Sequence, residues 1–209
     1  MTYVFAGVFF LMILYICKFM IFDSENVIAS SYNARLDKLA DHVIRGDIVS
    51  SDGQVLATNQ YADDGSYTRY YPYGSQFAHA VGYSTNGKAG IELTANYYLL
   101  TSDANIFERT GNALRDEKNM GNTVVTTLDS KLQIAAYNAM GYAKGAVVVM
   151  EPDTGKILAM VSKPDFNPND IDSIWASVTE GTAADNTILL NRTTQGSYPP
   201  GSTFKTLTT

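Results

Sequence analysis

A serine and a lysine near residue 200 have the spacing of a nucleophile and its base. Ser202 and Lys205 stand three residues apart, directly after Pro199-Pro200-Gly201. On a helix, positions i and i+3 share one face, so the lysine amine can reach the serine hydroxyl. A serine hydroxyl becomes a good nucleophile when a neighbouring base takes its proton, and a lysine amine in a dry cleft can be that base. Ser202 and Lys205 are therefore candidate catalytic residues.

The spacing alone leaves a simpler interpretation of the same two residues open. A serine at the start of a helix is a common N-cap, and a lysine in the first turn is most often a solvated surface residue. A pattern with two fixed positions in four also arises by chance. The surrounding sequence must therefore decide between a catalytic pair and a capped surface helix.

Composition narrows the chemistry that the chain can support. The 209 residues include 15 Lys+Arg and 21 Asp+Glu, a formal net charge of −6, and no basic run that would favour a nucleic acid. Two histidines, His42 and His79, and one cysteine, Cys17, exclude a disulfide within the chain and a cysteine-rich zinc site. His79 lies in no motif and is interpreted as structural. We expect no metal and no cofactor.

The first residues predict a membrane anchor. Val4–Cys17 is an uninterrupted apolar run, which continues after Lys18 to Phe22. A bilayer core requires roughly 20 residues, and a lysine near the end of the span can extend its amine to the headgroups. A cleaved signal peptide is disfavoured because no basic segment precedes the run and no Ala-x-Ala site follows it. A buried core helix is disfavoured because every face of the segment is apolar.

Local patterns predict a mixture of helices and short strands. Asp129 is placed as an N-cap, and Glu151–Gly155 has the proline and glycine of a tight turn between two apolar runs. The predicted elements are helices over Asn26–Ala40, Ile91–Leu100 and Ser130–Met140, two short strands around Ser51-Asp52-Gly53 within Ile44–Leu56, a strand over Thr123–Leu128, a hairpin of Gly145–Met150 with Lys156–Val161, irregular structure over Pro164–Asp185, and a helix beginning after Gly201.

The segment Asn191–Thr208, NRTTQGSYPPGSTFKTLT, resembles the active-serine segment of class B penicillin-binding proteins. In that family the pattern is Asn-Arg, a few residues, and then Tyr-x-Pro-Gly-Ser-x-Phe-Lys. The resemblance keeps its order and spacing over nearly the whole chain. The other segments that carry it are Arg45–Ile48, Asp52-Gly53, Leu56-Ala57, Arg69, Tyr71–Gly74, Ala80–Tyr83, Gly90–Glu92, Thr127–Gln133 and Gly145–Ser162. Two features depart from the family: Ser50–Gly53 replaces the usual Asp-Arg-Asn-Gly turn, and no basic stub precedes the anchor.

The resemblance implies an α+β protein in three parts. These are a single-pass transmembrane anchor over residues 1–22, an α+β pedestal over 23–140, and the truncated start of a transpeptidase domain over 141–209, which in the family is an antiparallel sheet covered by helices. The implied location is the cell membrane, with the N-terminus in the cytoplasm and the bulk outside it. Asn191 and Arg192 are expected to brace the segment before Ser202.

The implied activity is that of a serine-type peptidoglycan D,D-transpeptidase. Ser202 would attack the stem peptide with Lys205 as general base, and β-lactams would acylate the same serine. The implied partners are peptidoglycan stem peptides, β-lactams and a polytopic membrane glycosyltransferase. Three alternatives stay open: a scaffold that activates the glycosyltransferase without catalysis, a β-lactamase, and a β-lactam sensor. The long pedestal and the anchor argue against a β-lactamase, and the single span argues against a sensor.

Further motifs of the family are not found after Lys205. The family's site also uses Ser-x-Asn and Lys-Thr/Ser-Gly downstream of the serine. Ser31-Tyr32-Asn33 and Lys88-Ala89-Gly90 imitate these patterns, but both lie upstream and are not counted as catalytic. Substrate-binding residues stay unknown, and we expect the 209 residues by themselves to be inactive.

Overall fold

A computed structural model describes residues 1–23, 36, 43–103, 115, 118–180 and 187–208. The helix predicted over Asn26–Ala40 lies outside the described residues, apart from Leu36. Contacts divide the chain into two compact units: residues 1–47 with 93–124, and residues 48–92 with 125–209. The domain limits proposed from the sequence stay a prediction.

The described elements are short and mixed, as an α+β chain requires, and this fold class is confirmed. The α-helices are Thr2–Lys18, Ala78–Val81, Gly90–Thr94, Asn96–Leu100, Ser130–Met140, Ile171–Glu180 and Arg192–Gln195. The strands are Val43–Ile44, Ile48–Val49, Val55–Tyr61, Tyr67–Tyr70, Asn119–Met120, Val124–Val125, Gly145–Met150 and Ile157–Lys163. The 3₁₀-helices are Gly74–Phe77, Pro168–Asp170 and Gly201–Leu207.

The first unit begins with the apolar helix that the sequence predicts. Thr2–Lys18 is α-helical and continues as a π-helix over Phe19–Asp23. The combined 22-residue segment has a mean hydropathy of 2.4, and none of its window is buried within the chain. This length and composition suit a membrane span, and the exposure of every face disfavours the core-helix alternative.

The rest of the first unit explains the Arg45-Gly46 signature in structural terms. Arg45 is buried and its Nη1 donates to Asn96 Oδ1 at 2.6 Å. Gly46 N–H donates to the carbonyl of Leu99 at 2.9 Å. A Cβ at Gly46 would lie 2.0 Å from the backbone oxygen of Asn122, so only glycine fits there.

The second unit contains the turn predicted at Ser51-Asp52-Gly53. Ile48–Val49 pairs antiparallel with Val55–Tyr61 across this turn, as predicted. Val55–Tyr61 also pairs antiparallel with Tyr67–Tyr70, a strand that the sequence analysis does not predict. Beside Ile48–Val49, the N–H of Thr126 donates to the carbonyl of Val49 at 2.8 Å. Of the predicted strand Thr123–Leu128, only Val124–Val125 is extended strand.

A buried ion pair fixes two other residues that carry the resemblance. Arg69 Nε donates to Glu92 Oε1 at 2.8 Å, and both side chains are almost inaccessible to solvent. The hydroxyl of Tyr71 also donates to Glu92 Oε1, at 3.3 Å. These contacts join the strand Tyr67–Tyr70 and the residue after it to the helix Gly90–Thr94, and they give the buried charge of Glu92 its partner.

The hairpin predicted around Glu151–Gly155 is confirmed. Gly145–Met150 pairs antiparallel with Ile157–Lys163, and we call these two strands with their turn the central hairpin. Gly155 has φ +72°, a conformation that glycine adopts without a steric cost. The N–H of Glu151 donates to the carbonyl of Lys156 at 2.9 Å and closes the turn.

The helix Ser130–Met140 begins where the sequence predicts and packs against the central hairpin. Asp129 caps it by accepting a hydrogen bond from Leu132 N–H at 2.8 Å. Gln133, fully buried, pairs with Met160 as a strand would: its Nε2 donates to the Met160 carbonyl at 2.8 Å, and its Oε1 accepts from the Met160 N–H at 2.7 Å. The same Nε2 donates to the carbonyl of Gln76 at 2.8 Å.

The prediction of irregular structure over Pro164–Asp185 is wrong for its middle part, which contains the helix Ile171–Glu180. Asn167 caps the preceding 3₁₀-turn, and Pro168 occupies its first position. Ile171, Ile174 and Trp175 then face a core with helical spacing. Their partners in this core are Ala78, Tyr83, Ala89, Phe166 and Leu189.

Candidate active site

The structure places Ser202 and Lys205 on one short helix, Gly201–Leu207, which we call the serine helix. It is a 3₁₀-helix and not the α-helix assumed in the spacing argument: Thr203 N–H donates to the Pro200 carbonyl at 3.2 Å, and Thr208 N–H to the Lys205 carbonyl at 3.1 Å. In a 3₁₀-helix residues i and i+3 eclipse, so Ser202 and Lys205 still lie on one side. No residue of the serine helix is buried.

The chain enters the serine helix through a proline–glycine turn. Pro200 stands at the N-cap with φ −68°, and Gly201 follows with φ +55°. Open space surrounds the position of a Cβ at Gly201, so glycine is favoured here by backbone conformation and not by crowding. This left-handed residue sets the direction in which Ser202 leaves the turn.

Arg192 anchors the segment before the serine helix. Its guanidinium is buried, and Nη1 donates to the Thr187 carbonyl at 3.1 Å. Its N–H donates to Ser162 Oγ at 3.0 Å, and the same hydroxyl donates to the Leu190 carbonyl at 3.2 Å. Ser162 belongs to the central hairpin, so the segment is tied to the second strand of that hairpin.

Asn191 supplies a second anchor beside Arg192. Its Oδ1 accepts from Thr193 N–H at 3.1 Å and thereby caps the helix Arg192–Gln195. Its Nδ2 donates to the backbone carbonyl of His79 at 3.0 Å. The prediction that Asn191 and Arg192 brace this segment is confirmed by these contacts.

His79 has the structural role that the sequence analysis predicts. Its Nε2 lies 3.1 Å from the Pro164 carbonyl, which can only accept, so this nitrogen carries the proton. The imidazole also meets the ring of Phe166 edge to face, with centroids 5.2 Å apart. Burial lowers the pKa of His79 below its ordinary value, against the raising effect of the Pro164 hydrogen bond, so the side chain is neutral near pH 7.

Two polar residues that matter for this scaffold were not singled out by the sequence analysis. Ser162 and Gln133 each satisfy backbone groups of a distant segment, and both are buried. Gln133 stands inside a helix and Ser162 near the end of an apolar strand, where neither residue type carries a local signal of its role. Among the described residues, no group of His, Cys, Asp and Glu side chains is arranged to hold a metal ion.

Comparison with known protein families gives two matches that follow each other along the chain. The profile of the penicillin binding protein A dimerisation domain matches residues 45–124. The profile of the penicillin binding protein transpeptidase domain matches residues 145–209, which include Ser202 and Lys205. The two matched ranges include most of the segments on which the resemblance to the family was based in the sequence analysis.

Individual relatives agree with these matches. The peptidoglycan D,D-transpeptidase MrdA of Acinetobacter baumannii is 36% identical over 177 residues, which cover 66% of this chain and 25% of that protein. The chain spans about a quarter to two fifths of the length of the curated relatives it matches.

Two solved structures resemble the described fold. The D,D-transpeptidase domain of a peptidoglycan glycosyltransferase from Eggerthella lenta has a TM-score of 0.66 at 39% identity, covering 80% of this chain and 36% of that one. The imipenem acyl-enzyme complex of penicillin-binding protein A from M. tuberculosis has a TM-score of 0.68 at 32% identity, covering 78% of this chain and 41% of that one. The two profile matches, the relatives and the fold together show that the chain belongs to the class B penicillin-binding proteins.

Proposed function

We propose that this chain is the serine-bearing part of a peptidoglycan D,D-transpeptidase. The observation that carries the proposal is the position of Ser202 and Lys205, three residues apart on one short helix within the region matched by the transpeptidase profile. The similarity to named D,D-transpeptidases supports the same reaction class. Ser202 is the nucleophile and Lys205 the general base.

The first half of the reaction forms an ester. The Oγ of Ser202 attacks the carbonyl carbon between the two D-alanines of a stem peptide while Lys205 Nζ takes the hydroxyl proton. Backbone N–H groups, that of Ser202 among them, stabilise the negative oxygen of the tetrahedral intermediate. The C–N bond then breaks, and the terminal D-alanine leaves with a proton on its amine.

The second half transfers the acyl group. An amine of a neighbouring stem peptide attacks the ester carbonyl, the C–O bond to Ser202 breaks, and the serine oxygen takes up the proton that the amine nitrogen loses. The product is a cross-link between two stems. A β-lactam ring enters the first half in place of the D-Ala-D-Ala bond, and similar proteins have been solved as imipenem and penicillin G acyl-enzyme complexes.

Covalent labelling tests this function in a protein in which residues 1–209 are continued by a complete transpeptidase domain. A fluorescent penicillin should label that protein, and Ser202→Ala should abolish the label. Ser197→Ala is the matched control because Ser197 is exposed in the same segment, five residues upstream. Labelling that persists in Ser202→Ala would refute the assignment of the nucleophile.

The proposed location is the cell membrane, with the apolar helix as anchor, the N-terminus in the cytoplasm and the bulk outside. The 22-residue apolar segment supports the anchor but not its direction. A reporter that is active only in the cytoplasm, fused after Asn59, should stay silent. A strong signal from an intact fusion would reverse the orientation.

The proposed protein partner is a polytopic membrane glycosyltransferase, which the predicted pedestal over residues 23–140 would contact. The match of residues 45–124 to a dimerisation domain supports an interaction role for this region. The same observation favours the second candidate function, a scaffold that activates the glycosyltransferase without catalysis. Peptide cross-linking and glycan polymerisation, both measured with a protein that has a complete transpeptidase domain and with its Ser202→Ala variant, separate the two functions. The substitution should abolish cross-linking if the protein is a transpeptidase, whereas stimulation of polymerisation that survives it reports the scaffold role.

A further inference from the structure

We propose that Asn86 is a site of spontaneous covalent modification, at which its amide is converted to a carboxylate. Asn86 and Gly87 are both exposed, in the loop between Tyr83 and Ala89. Of the asparagines in the sequence, only Asn86 is followed by glycine. The modification is independent of the proposed transpeptidase activity and requires only the chain and water.

The chemistry joins the side chain of Asn86 to the following peptide bond. The backbone nitrogen of Gly87, after losing its proton to hydroxide, attacks Cγ of Asn86. The Cγ–Nδ2 bond breaks and the nitrogen leaves as ammonia, having gained a proton from water, so that a succinimide ring remains. Water then opens the ring at either carbonyl and leaves aspartate or isoaspartate at position 86. One water is consumed and one ammonia is released, without any oxidant or reductant.

The local geometry leaves the attacking nitrogen accessible. Nothing lies within 4 Å of the position of a Cβ at Gly87, and φ there is +115°. Within the described part of the chain, the Gly87 N–H donates no hydrogen bond. Asn86 itself has φ +53°, in the left-handed region. A peptide nitrogen in a helix or sheet ladder lacks this freedom because its hydrogen is already donated.

The product would change a contact that the amide now makes. Asn86 Nδ2 donates to Asp172 Oδ1 at 2.6 Å, on the exposed surface. Asp172 belongs to the first turn of the helix Ile171–Glu180. A carboxylate at position 86 has no hydrogen to donate and is repelled by the carboxylate of Asp172. The modification therefore removes the hydrogen bond between this loop and the helix Ile171–Glu180. The hydrogen bond between the Ser84 and Tyr71 hydroxyls, 3.3 Å long, remains at the start of the loop.

Peptide mapping by mass spectrometry tests the site in the full 209-residue chain kept in detergent. Incubation in mildly alkaline buffer should convert position 86 to aspartate and isoaspartate, faster as the pH rises. Asn138 is the internal control, because it is exposed but lies in the helix Ser130–Met140 and is followed by Ala139. Retention of the amide at position 86, or equal conversion at Asn138, would overturn the proposal.

Two variants test the assignment to the Asn86-Gly87 pair. Asn86→Gln should lose the product, since the longer side chain disfavours the five-membered ring. Gly87→Ala should lose most of it, because the added methyl hinders the attack; φ +115° strains this variant, so Asn86→Gln is the decisive one. Formation of product at position 86 at the wild-type rate in Gly87→Ala, or an equal mass change in the same peptide of Asn86→Gln, would overturn the assignment.

Thermal unfolding tests the structural consequence. Asn86→Asp, which reproduces one product, should lower the midpoint by about 1–3 °C. Asp172→Asn in the same chain should restore the midpoint, because the two carboxylates then no longer face each other. A midpoint that is unchanged by Asn86→Asp, or unaffected by the second substitution, would show that the Asp172 contact is not what the modification disrupts.

Discussion

The central hairpin and the serine helix differ in how the rest of the second unit holds them. Two residues outside the hairpin hold its strand Ile157–Lys163. The buried side chain of Gln133 accepts from the N–H of Met160, and the N–H of Arg192 donates to Ser162 Oγ. The serine helix has no buried residue. The buried contacts at Asn191 and Arg192 lie about ten residues before Ser202, the proposed nucleophile. The described residues thus hold the hairpin in place, whereas a site that encloses Ser202 requires contacts beyond those that the serine helix makes here.

This difference explains why we propose that the 209 residues alone are inactive. A general base works when its surroundings favour proton transfer, and an oxyanion is stabilised when preorganised donors exclude water. The exposed serine helix presents Ser202 and Lys205 on one side, but it does not enclose them in a cleft from which water is excluded. Changes in the serine helix should therefore alter chemistry, and changes around the hairpin should alter stability.

The largest expected effect comes from removing the proposed base. In a chain with a complete transpeptidase domain, Lys205→Ala should slow acylation by penicillin by about 10²–10⁴-fold, the usual contribution of general-base catalysis. A thermal melt of the variant, compared with that of the wild type, is the folding control. Stopped-flow or gel-based labelling rates measure the effect.

Lys205→Arg is the matched control for charge. A guanidinium stays protonated, so this variant keeps the positive charge and still cannot act as a base. Near-normal acylation by either variant would show that another group takes the proton from Ser202.

The largest stability effect is expected at the other region, from Gln133→Ala. The substitution leaves the N–H and carbonyl of Met160 and the carbonyl of Gln76 without their side-chain partner in a buried position. The free energy of unfolding should fall by about 2–4 kcal/mol. Trp175 is the single tryptophan and packs against Tyr83, with centroids 6.0 Å apart, so its fluorescence in a urea titration reports on the second unit.

Thr206→Ala gives the comparison from the serine helix. Its hydroxyl donates to the Thr203 carbonyl at 2.8 Å, but on an exposed surface. The unfolding free energy should change by less than about 0.5 kcal/mol. Equal losses in Gln133→Ala and Thr206→Ala would show that the two regions are held alike.

An intermediate effect is expected where the bracing ends, from Asn191→Ala. The variant loses the N-cap of the helix Arg192–Gln195 and the hydrogen bond to the His79 carbonyl, a cost of about 1–2 kcal/mol in unfolding free energy. Asn191→Ser separates the two losses, because a serine hydroxyl still caps the helix but does not reach His79. If both variants unfold at the wild-type urea concentration, Asn191 does not brace the segment.

The elements that sequence reasoning predicted correctly are those with local signals. Asp129 precedes a helical run and caps it, and Gly155 stands where the hairpin turn needs a positive φ. The turn at Ser51-Asp52-Gly53 is likewise recognisable from its own residues. Such signals act over a few residues, so the surrounding fold does not alter them.

The features that were missed depend on distant partners or on a competing local signal. Tyr67–Tyr70 is a strand because it pairs with Val55–Tyr61. The residues of Tyr67–Tyr70 by themselves do not predict a strand. The helix Ile171–Glu180 does have a local signal, because Asn167-Pro168 is a typical helix start and apolar residues follow at helical spacing. The segment was nevertheless predicted to be irregular because most of its other residues are polar. For the site, the identities of Ser202 and Lys205 came from the motif, whereas the bracing by Ser162 and Gln133 arises only when the chain folds.

The smallest expected effect on stability concerns the turn Ser51-Asp52-Gly53, and it depends on pH. The Asp52 carboxylate accepts from Ser130 Oγ at 2.5 Å, from Ser50 Oγ at 2.5 Å and from Ser130 N–H at 3.2 Å, and so ties the turn to the start of the helix Ser130–Met140. These hydrogen bonds, that of the Ser130 hydroxyl first and that of Ser50 next, lower the pKa of Asp52 from 3.8 to about 2.

A lowered pKa fixes the sign of the pH dependence. The folded state favours the carboxylate, so its contribution to stability is fully present above about pH 4 and is lost as the pH falls toward about 2. Asp52→Asn should therefore be less stable than the wild type at pH 5, and the gap in urea midpoint, followed by Trp175 fluorescence, should narrow at pH 3. The difference in urea midpoint between Ser130→Ala and the wild type should narrow in the same way, because this variant lacks the hydrogen bond that lowers the pKa of Asp52 most. Asp129, the N-cap of the same helix, is unchanged in both variants. A gap that is the same at pH 5 and pH 3 would mean that the charge of Asp52 does not hold the turn, and that only the shape of its side chain does.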